Sequence, residues 1–138
     1  MGNKKILVVD DDPDLRRGLH IRLKANHYDT FFAADALSSM TEARKQEPDL
    51  IILDLGLPAG DGYVVMERLH NIPALAIIPI IVVSGRDVRA NREKSLKAGA
   101  KAFLQKPVDN DELLAVIRHI LGGHSISVKP MVYDLEVE

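Results

Sequence analysis

The chain has 138 residues, of which 46% are hydrophobic and 28% charged, with a formal net charge of −2 and no cysteine. That composition fits one globular domain with an apolar core. It excludes disulfides, thiolate catalysis and cysteine-based zinc sites, and it is too near neutral for a direct nucleic-acid surface or an anionic lipid surface. The first apolar run is short and leads into acid, so it is no signal peptide, and no apolar stretch approaches the length of a membrane span. The expectation is a cytoplasmic protein that itself binds neither nucleic acid nor membrane.

Ile6 to Val9 is continuously apolar and rich in β-branched residues, as suits a strand buried on both faces. Asp12-Pro13 reads as an N-cap followed by a first-turn proline. Leu15, Leu19 and Leu23 then mark one helical stripe, with Arg16, Arg17 and Lys24 outside it. Tyr28 to Ala33 is a weaker strand. Ala36, Met40 and Ala43 mark a helix capped by Asp35. Leu50 to Leu53 is a second apolar strand and ends at Asp54. Val64, Val65 and Leu69 lie on a helix that starts near Asp61. Ile78 to Val83 is a third buried strand, with Pro79 near its start, where proline is tolerated. Asp87 caps a helix that stops at Ala98-Gly99. Ala102 to Leu104 is a short strand. Asp109 and Glu112 resemble a capping box, and Leu113, Ile117, Ile120 and Leu121 form the last stripe before Gly122-Gly123.

Five alternating β and α units predict an α/β fold: a parallel sheet with helices on both faces. The five-stranded solution is the doubly wound, flavodoxin-like order 2-1-3-4-5, with its switch point between the first and third strands. The domain is expected to span 1–123, with 124–138 as a C-terminal tail or linker stub.

Ligands of such sheets bind beyond the carboxyl ends of the strands. There the sequence delivers Asp10 and Asp11 from the first strand, Asp54 from the third, Ser84 from the fourth and Lys106 after the fifth. Crowded carboxylates repel one another unless a cation compensates. Mg²⁺ suits an oxygen-rich site with one or two carboxylates, and Mn²⁺ is expected to substitute. Asp11 and Asp54 are the expected direct ligands, the Gly56 carbonyl a third, and Asp10 a holder of metal-bound water. Asp54 can then attack phosphorus and become an aspartyl phosphate, with Lys106 neutralising a phosphoryl oxygen and Ser84 donating its hydroxyl to the product. Asp12, which precedes Pro13, reads as a cap rather than a ligand. The five histidines show no i, i+4 pair and read as surface or helix-end residues.

The strings ILVVDDDP, IILDLGLPAGDG, IIVVSGRD and GAKAFLQKP resemble the response-regulator receiver family of two-component signalling, the CheY-like receivers, from about Lys4 to Gly122. The resemblance implies Asp54 as phosphoacceptor, Asp10 and Asp11 as the acidic pair, Ser84 as switch hydroxyl, Lys106 as phosphate contact and Phe103 as switch aromatic. It also implies a cis Lys106-Pro107 bond, and docking of a histidine kinase or phosphotransfer domain near Leu15 and Leu19. Such a domain catalyses its own phosphorylation and dephosphorylation rather than acting on other substrates. Its readout surface is the helix capped by Asp87, the strand after it and the last helix, which meet an output partner or a second copy in a phosphorylation-dependent homodimer. Gly56 and Gly85 depart from bulkier residues common at those positions, and Phe103 lacks the hydroxyl of the more usual Tyr. Gly56 and Arg86 fall among positions that tune phosphoryl lifetime.

Three alternatives use the same fold. A nucleotide or flavin carrier needs a phosphate-cradling loop after the first strand, where three aspartates stand. A phosphatase of the haloacid-dehalogenase type needs a second carboxylate at position 56, which is glycine. A phosphorylation-independent interaction module would need none of the acidic constellation.

Overall fold

The computed structural model describes residues 2–122. In chain order the elements are β1 (Lys5–Val9), α1 (Pro13–Ala25), β2 (Asp29–Ala33), α2 (Ala36–Gln46), β3 (Leu50–Leu53) and α3 (Gly62–His70). They continue with α4 (Pro73–Ala76), β4 (Ile80–Ser84), α5 (Val88–Lys97), β5 (Ala102–Gln105) and α6 (Asn110–Gly122). The five strands form one parallel sheet in the order β2-β1-β3-β4-β5, the doubly wound topology that the alternation predicts. No described helix is long and apolar enough to cross a membrane. The expected tail, 124–138, lies outside the described residues.

The continuous apolar strands are explained by burial on both sides. Successive side chains point to opposite faces, so Leu7, Val9, Ile51, Leu53 and Val82 pack under α2 and α3. Ile6, Val8, Ile52, Ile81 and Val83 pack under α1 and α6. Leu19 and Leu23 of α1 and Leu113 and Ile117 of α6 close the second layer, as their helical spacing requires.

The caps follow the sequence with one exception. Asp12, Asp35 and Asp61 each accept backbone N–H bonds at the start of α1, α2 and α3, and Asp109 does so from Asp111 and Glu112. Asp87 makes no side-chain cap bond; instead Asn91 Nδ2 donates to the Asp87 carbonyl at 2.9 Å. Strand bounds differ from expectation by a residue or two, and two differences have a clear physical cause. Strand β4 begins at Ile80, because Pro79 lacks an N–H to donate, although its carbonyl still accepts from Ile51. The short helix α4, with Pro73 in its first turn, is too brief for any periodicity to reveal.

Candidate functional site

The sheet's own hydrogen bonds carry the site residues past the strand ends. The Asp10 N–H donates to the Ala33 carbonyl, that of Asp54 to Val9 and that of Lys106 to Ser84, at 2.9–3.0 Å. The ladder thus locks Asp10, Asp54, Ser84 and Lys106 at neighbouring positions along one edge, at the switch point where ligands of such sheets bind.

Asp10, Asp11 and Asp54 can each turn an oxygen to within 4.8 Å of the others, the one such acid cluster among the described residues. Asp10 and Asp54 are buried at 2% and 7% exposure, while Asp11 is exposed. The Lys106 ammonium reaches Asp10 Oδ2 at 2.8 Å and Asp54 Oδ2 at 3.5 Å. Lysine therefore sits between two of the three expected acids and sides with Asp10 in this state. The Lys106-Pro107 bond is cis. Gly56 lies beside the cluster: a Cβ there would be 4.0 Å from Asp54 Oδ2.

The electrostatics follow burial first. Loss of water pushes the Asp10 carboxyl above its ordinary value. The Lys106 ammonium and the Asp12 N–H, 2.9 Å from Asp10 Oδ1, offset this only in part, and the Asp54 charge adds to the rise. For Lys106, desolvation pulls downward, but its hydrogen bond to Asp10 and the charges of Asp10 and Asp54 outweigh it. Lys106 is held above the usual lysine range and stays an ammonium. The donor set is all oxygen, hard and anionic, which fits a divalent cation such as Mg²⁺.

Ser84 is fully buried, and its Oγ accepts from the Arg86 N–H at 3.1 Å. Phe103 is fully buried in the layer under α2 and α3, so its ring occupies an inward core position here. The expected docking pair divides. Leu15 is partly exposed and lines a shallow pocket with Asp14, Lys106 and Pro107. Leu19 is 3% exposed and belongs to the core, so it cannot offer its side chain to a partner; at i+4 on the stripe it points further into the sheet.

Several site residues escape sequence reading. Arg16, placed there outside the apolar stripe, donates from its guanidinium to the Asp10 carbonyl at 2.7 Å. Asp61 caps α3 and also lies 3.6 Å from the Arg86 guanidinium. Gly62 is indispensable sterically: a Cβ would lie 2.7 Å from the Asp54 carbonyl oxygen and 2.9 Å from Leu55 Cα. The glycine in GDG is visible as a string, but only the folded loop shows what it must avoid.

Comparison with known proteins agrees with this geometry. The family model described as the response regulator receiver domain matches residues 6–118. The KDP operon transcriptional regulatory protein KdpE of Escherichia coli K12 is 37% identical over 125 residues, 91% of this chain and 54% of that protein. This chain therefore spans about half the length of that relative. A response regulator from Chloroflexus aurantiacus J-10-fl superposes with a TM-score of 0.81 at 30% identity, covering 87% of this chain and 98% of that one. The receiver domain of the sensor histidine kinase PA1611 from Pseudomonas aeruginosa PAO1 has a TM-score of 0.80 at 27% identity, with 88% and 99% covered, and its structure has a magnesium ion in the active-site cleft. With a sheet of this order, acids at these strand ends and a family match over nearly the whole described chain, the protein belongs to the response regulator receiver domains of two-component systems.

Proposed function

We propose that this receiver accepts a phosphoryl group on Asp54 from a histidine kinase or phosphotransfer protein. The observation that carries the reading is the buried Asp54 carboxylate, beside two further acids and 3.5 Å from the Lys106 ammonium. An Asp54 oxygen attacks phosphorus of a phosphohistidine; the O–P bond forms as the P–N bond breaks, and the imidazole nitrogen leaves with the bonding pair. Positioning and charge stabilisation are what phosphoryl transfer chiefly needs. Lys106, now closer to Asp10, contacts a phosphoryl oxygen, and the Ser84 hydroxyl donates to another. Hydrolysis reverses the state when water attacks phosphorus and Asp54 leaves as carboxylate. Gly56, with no side chain beside Asp54 Oδ2, and Arg86 are the positions expected to set how fast that happens.

Asp11, Asp54 and the Gly56 carbonyl would hold Mg²⁺ directly, with Asp10 acting through water. The ion, or Mn²⁺ in its place, supplies positive charge to the nucleophile and the phosphoryl oxygens. Phosphorylation draws the Ser84 hydroxyl toward Asp54 and shifts a two-state equilibrium. With the Phe103 ring already inward, the surface of α5, β5 and α6 changes its affinity for an output partner or a second copy. Coupling of this kind is worth about 1–3 kcal/mol. A cytoplasmic setting and a domain limit near residue 123 go with this reading.

Intact-mass measurement after incubation with acetyl phosphate and Mg²⁺ tests the chemistry. Wild type gains one phosphoryl group, and Asp54→Asn gains none and does not bind beryllofluoride. Equal labelling of the variant, or an unmodified wild type, would overturn the proposal.

A further inference from the structure

The loop after β4 is tied to the start of α3 by more than packing. The Tyr63 hydroxyl donates to Asn91 Oδ1 at 2.8 Å. Asn91 is held in that orientation because its Nδ2 donates to the Asp87 carbonyl. One turn further along α5, the Lys94 ammonium sits 4.3 Å above the centre of the Tyr63 ring, within reach of a cation–π attraction. A second tie runs alongside: Asp61 spends one oxygen on the α3 cap and presents the other to Arg86 at 3.6 Å. Arg86 in turn donates its backbone N–H to Ser84 Oγ. Tyr63 is fixed at its other end, since its ring packs on the core layer under α2 and α3. Burial also keeps its phenol above the ordinary tyrosine value, so the hydroxyl stays a donor.

Helix α5 needs such an anchor. It buries only Ser95 fully, with Val88 packed partly on the core, and Asp87 gives it no side-chain cap. With so little apolar burial, single polar ties weigh heavily in where the helix start rests.

We infer that Tyr63 is a positioning residue for the site: through Asn91 and Lys94 it holds the 84–91 segment in the arrangement where Ser84 Oγ accepts from the Arg86 N–H, a bond that turning the hydroxyl toward Asp54 breaks. The inference rests on the phosphoacceptor reading of Asp54 and adds a restraint to it. To turn its hydroxyl toward Asp54, Ser84 must give up its present setting, and residues 85–87 carry the first turn of α5 with them. Asn91 then leaves a Tyr63 that the core keeps in place. The clasp therefore opposes binding at Asp54, and by linkage a bound acyl phosphate or its analogue opposes the clasp.

Tyr63→Phe keeps the ring, its packing and the Lys94 contact and deletes only the hydroxyl. Titration calorimetry with beryllofluoride at saturating Mg²⁺ is expected to show roughly three- to tenfold tighter binding than wild type, the ratio that one lost hydrogen bond in the competing state supplies. Asn91→Ala should give the same shift, and the double variant no more than either alone, because both remove one bond. Mg²⁺ affinity without beryllofluoride should stay at the wild-type value, since no expected ligand is touched. Unchanged or weaker beryllofluoride binding by Tyr63→Phe overturns the inference, as does a parallel loss of Mg²⁺ affinity, which is what a merely structural role produces. Wild type that binds no beryllofluoride overturns the Asp54 reading and this one with it; a normal wild type with an unshifted variant overturns the clasp alone.

Discussion

Asp10 is the residue on which burial and charge compete most directly. Its folded value lies above the ordinary 3.8, so the ionised form weakens the fold at neutral pH, and that cost fades as pH falls through the folded value toward the unfolded one. Metal-free Asp10→Asn is therefore expected to be more stable than wild type near neutrality, with the advantage shrinking toward about pH 4. Urea denaturation in chelator across that range measures it, and a constant difference would count against the burial argument. Gly62 makes the opposite case, of a residue whose side chain is missed least. Backbone atoms at 2.7 and 2.9 Å cannot move aside as a flexible side chain can. Gly62→Ala should cost about 1–3 kcal/mol of stability and slow phosphorylation by displacing the Asp54 backbone; a wild-type melting curve and rate would refute this.

At the scale of the element, helix α1 shows how one stripe serves two purposes. Leu15 and Leu19 are four residues apart and read alike in the sequence, yet Leu19 is sealed in the core and Leu15 stays at the rim beside Pro107. Leu19→Ala should destabilise the fold by about 2–5 kcal/mol, as large-to-small core changes do. Leu15→Ala, which removes a half-buried side chain at the core's edge, should cost less stability than Leu19→Ala, slow phosphotransfer from the kinase and spare phosphorylation by acetyl phosphate. Equal loss with both donors would remove Leu15 from the docking surface. The caps belong to the same scale. Four of the five sequence-assigned aspartates bond backbone N–H groups, and α5, where Asp87 does not, is the helix held instead by the Tyr63 side chain of α3.

For the whole molecule, a cation held by the clustered acids would couple its binding to folding. A cation that binds the folded state alone stabilises it by mass action, about 2.7 kcal/mol at a hundredfold excess over its dissociation constant. Thermal unfolding with added Mg²⁺ should show a corresponding rise in wild type, and Asp11→Asn should lose most of it. A rise of wild-type size in the variant would exclude Asp11 as a ligand. In the metal-free fold the Asp54 charge adds to the cost of ionising Asp10, and Lys106 offsets part of it.

The amino-acid sequence by itself determined the five βα units, their order in the sheet and the acids, serine and lysine at the strand ends. Apolar runs, helical stripes and caps are local signals, and the rules of parallel crossovers turn them into one topology. Tertiary structure alone decided which carboxylate Lys106 favours, that Leu19 is sealed in the core while Leu15 stays half-buried at its edge, that Arg16 reaches the Asp10 carbonyl, and that Tyr63 meets Asn91 across 28 positions of chain. Distances between side chains on different elements depend on how two layers pack on one sheet, and no periodicity along a single chain encodes them.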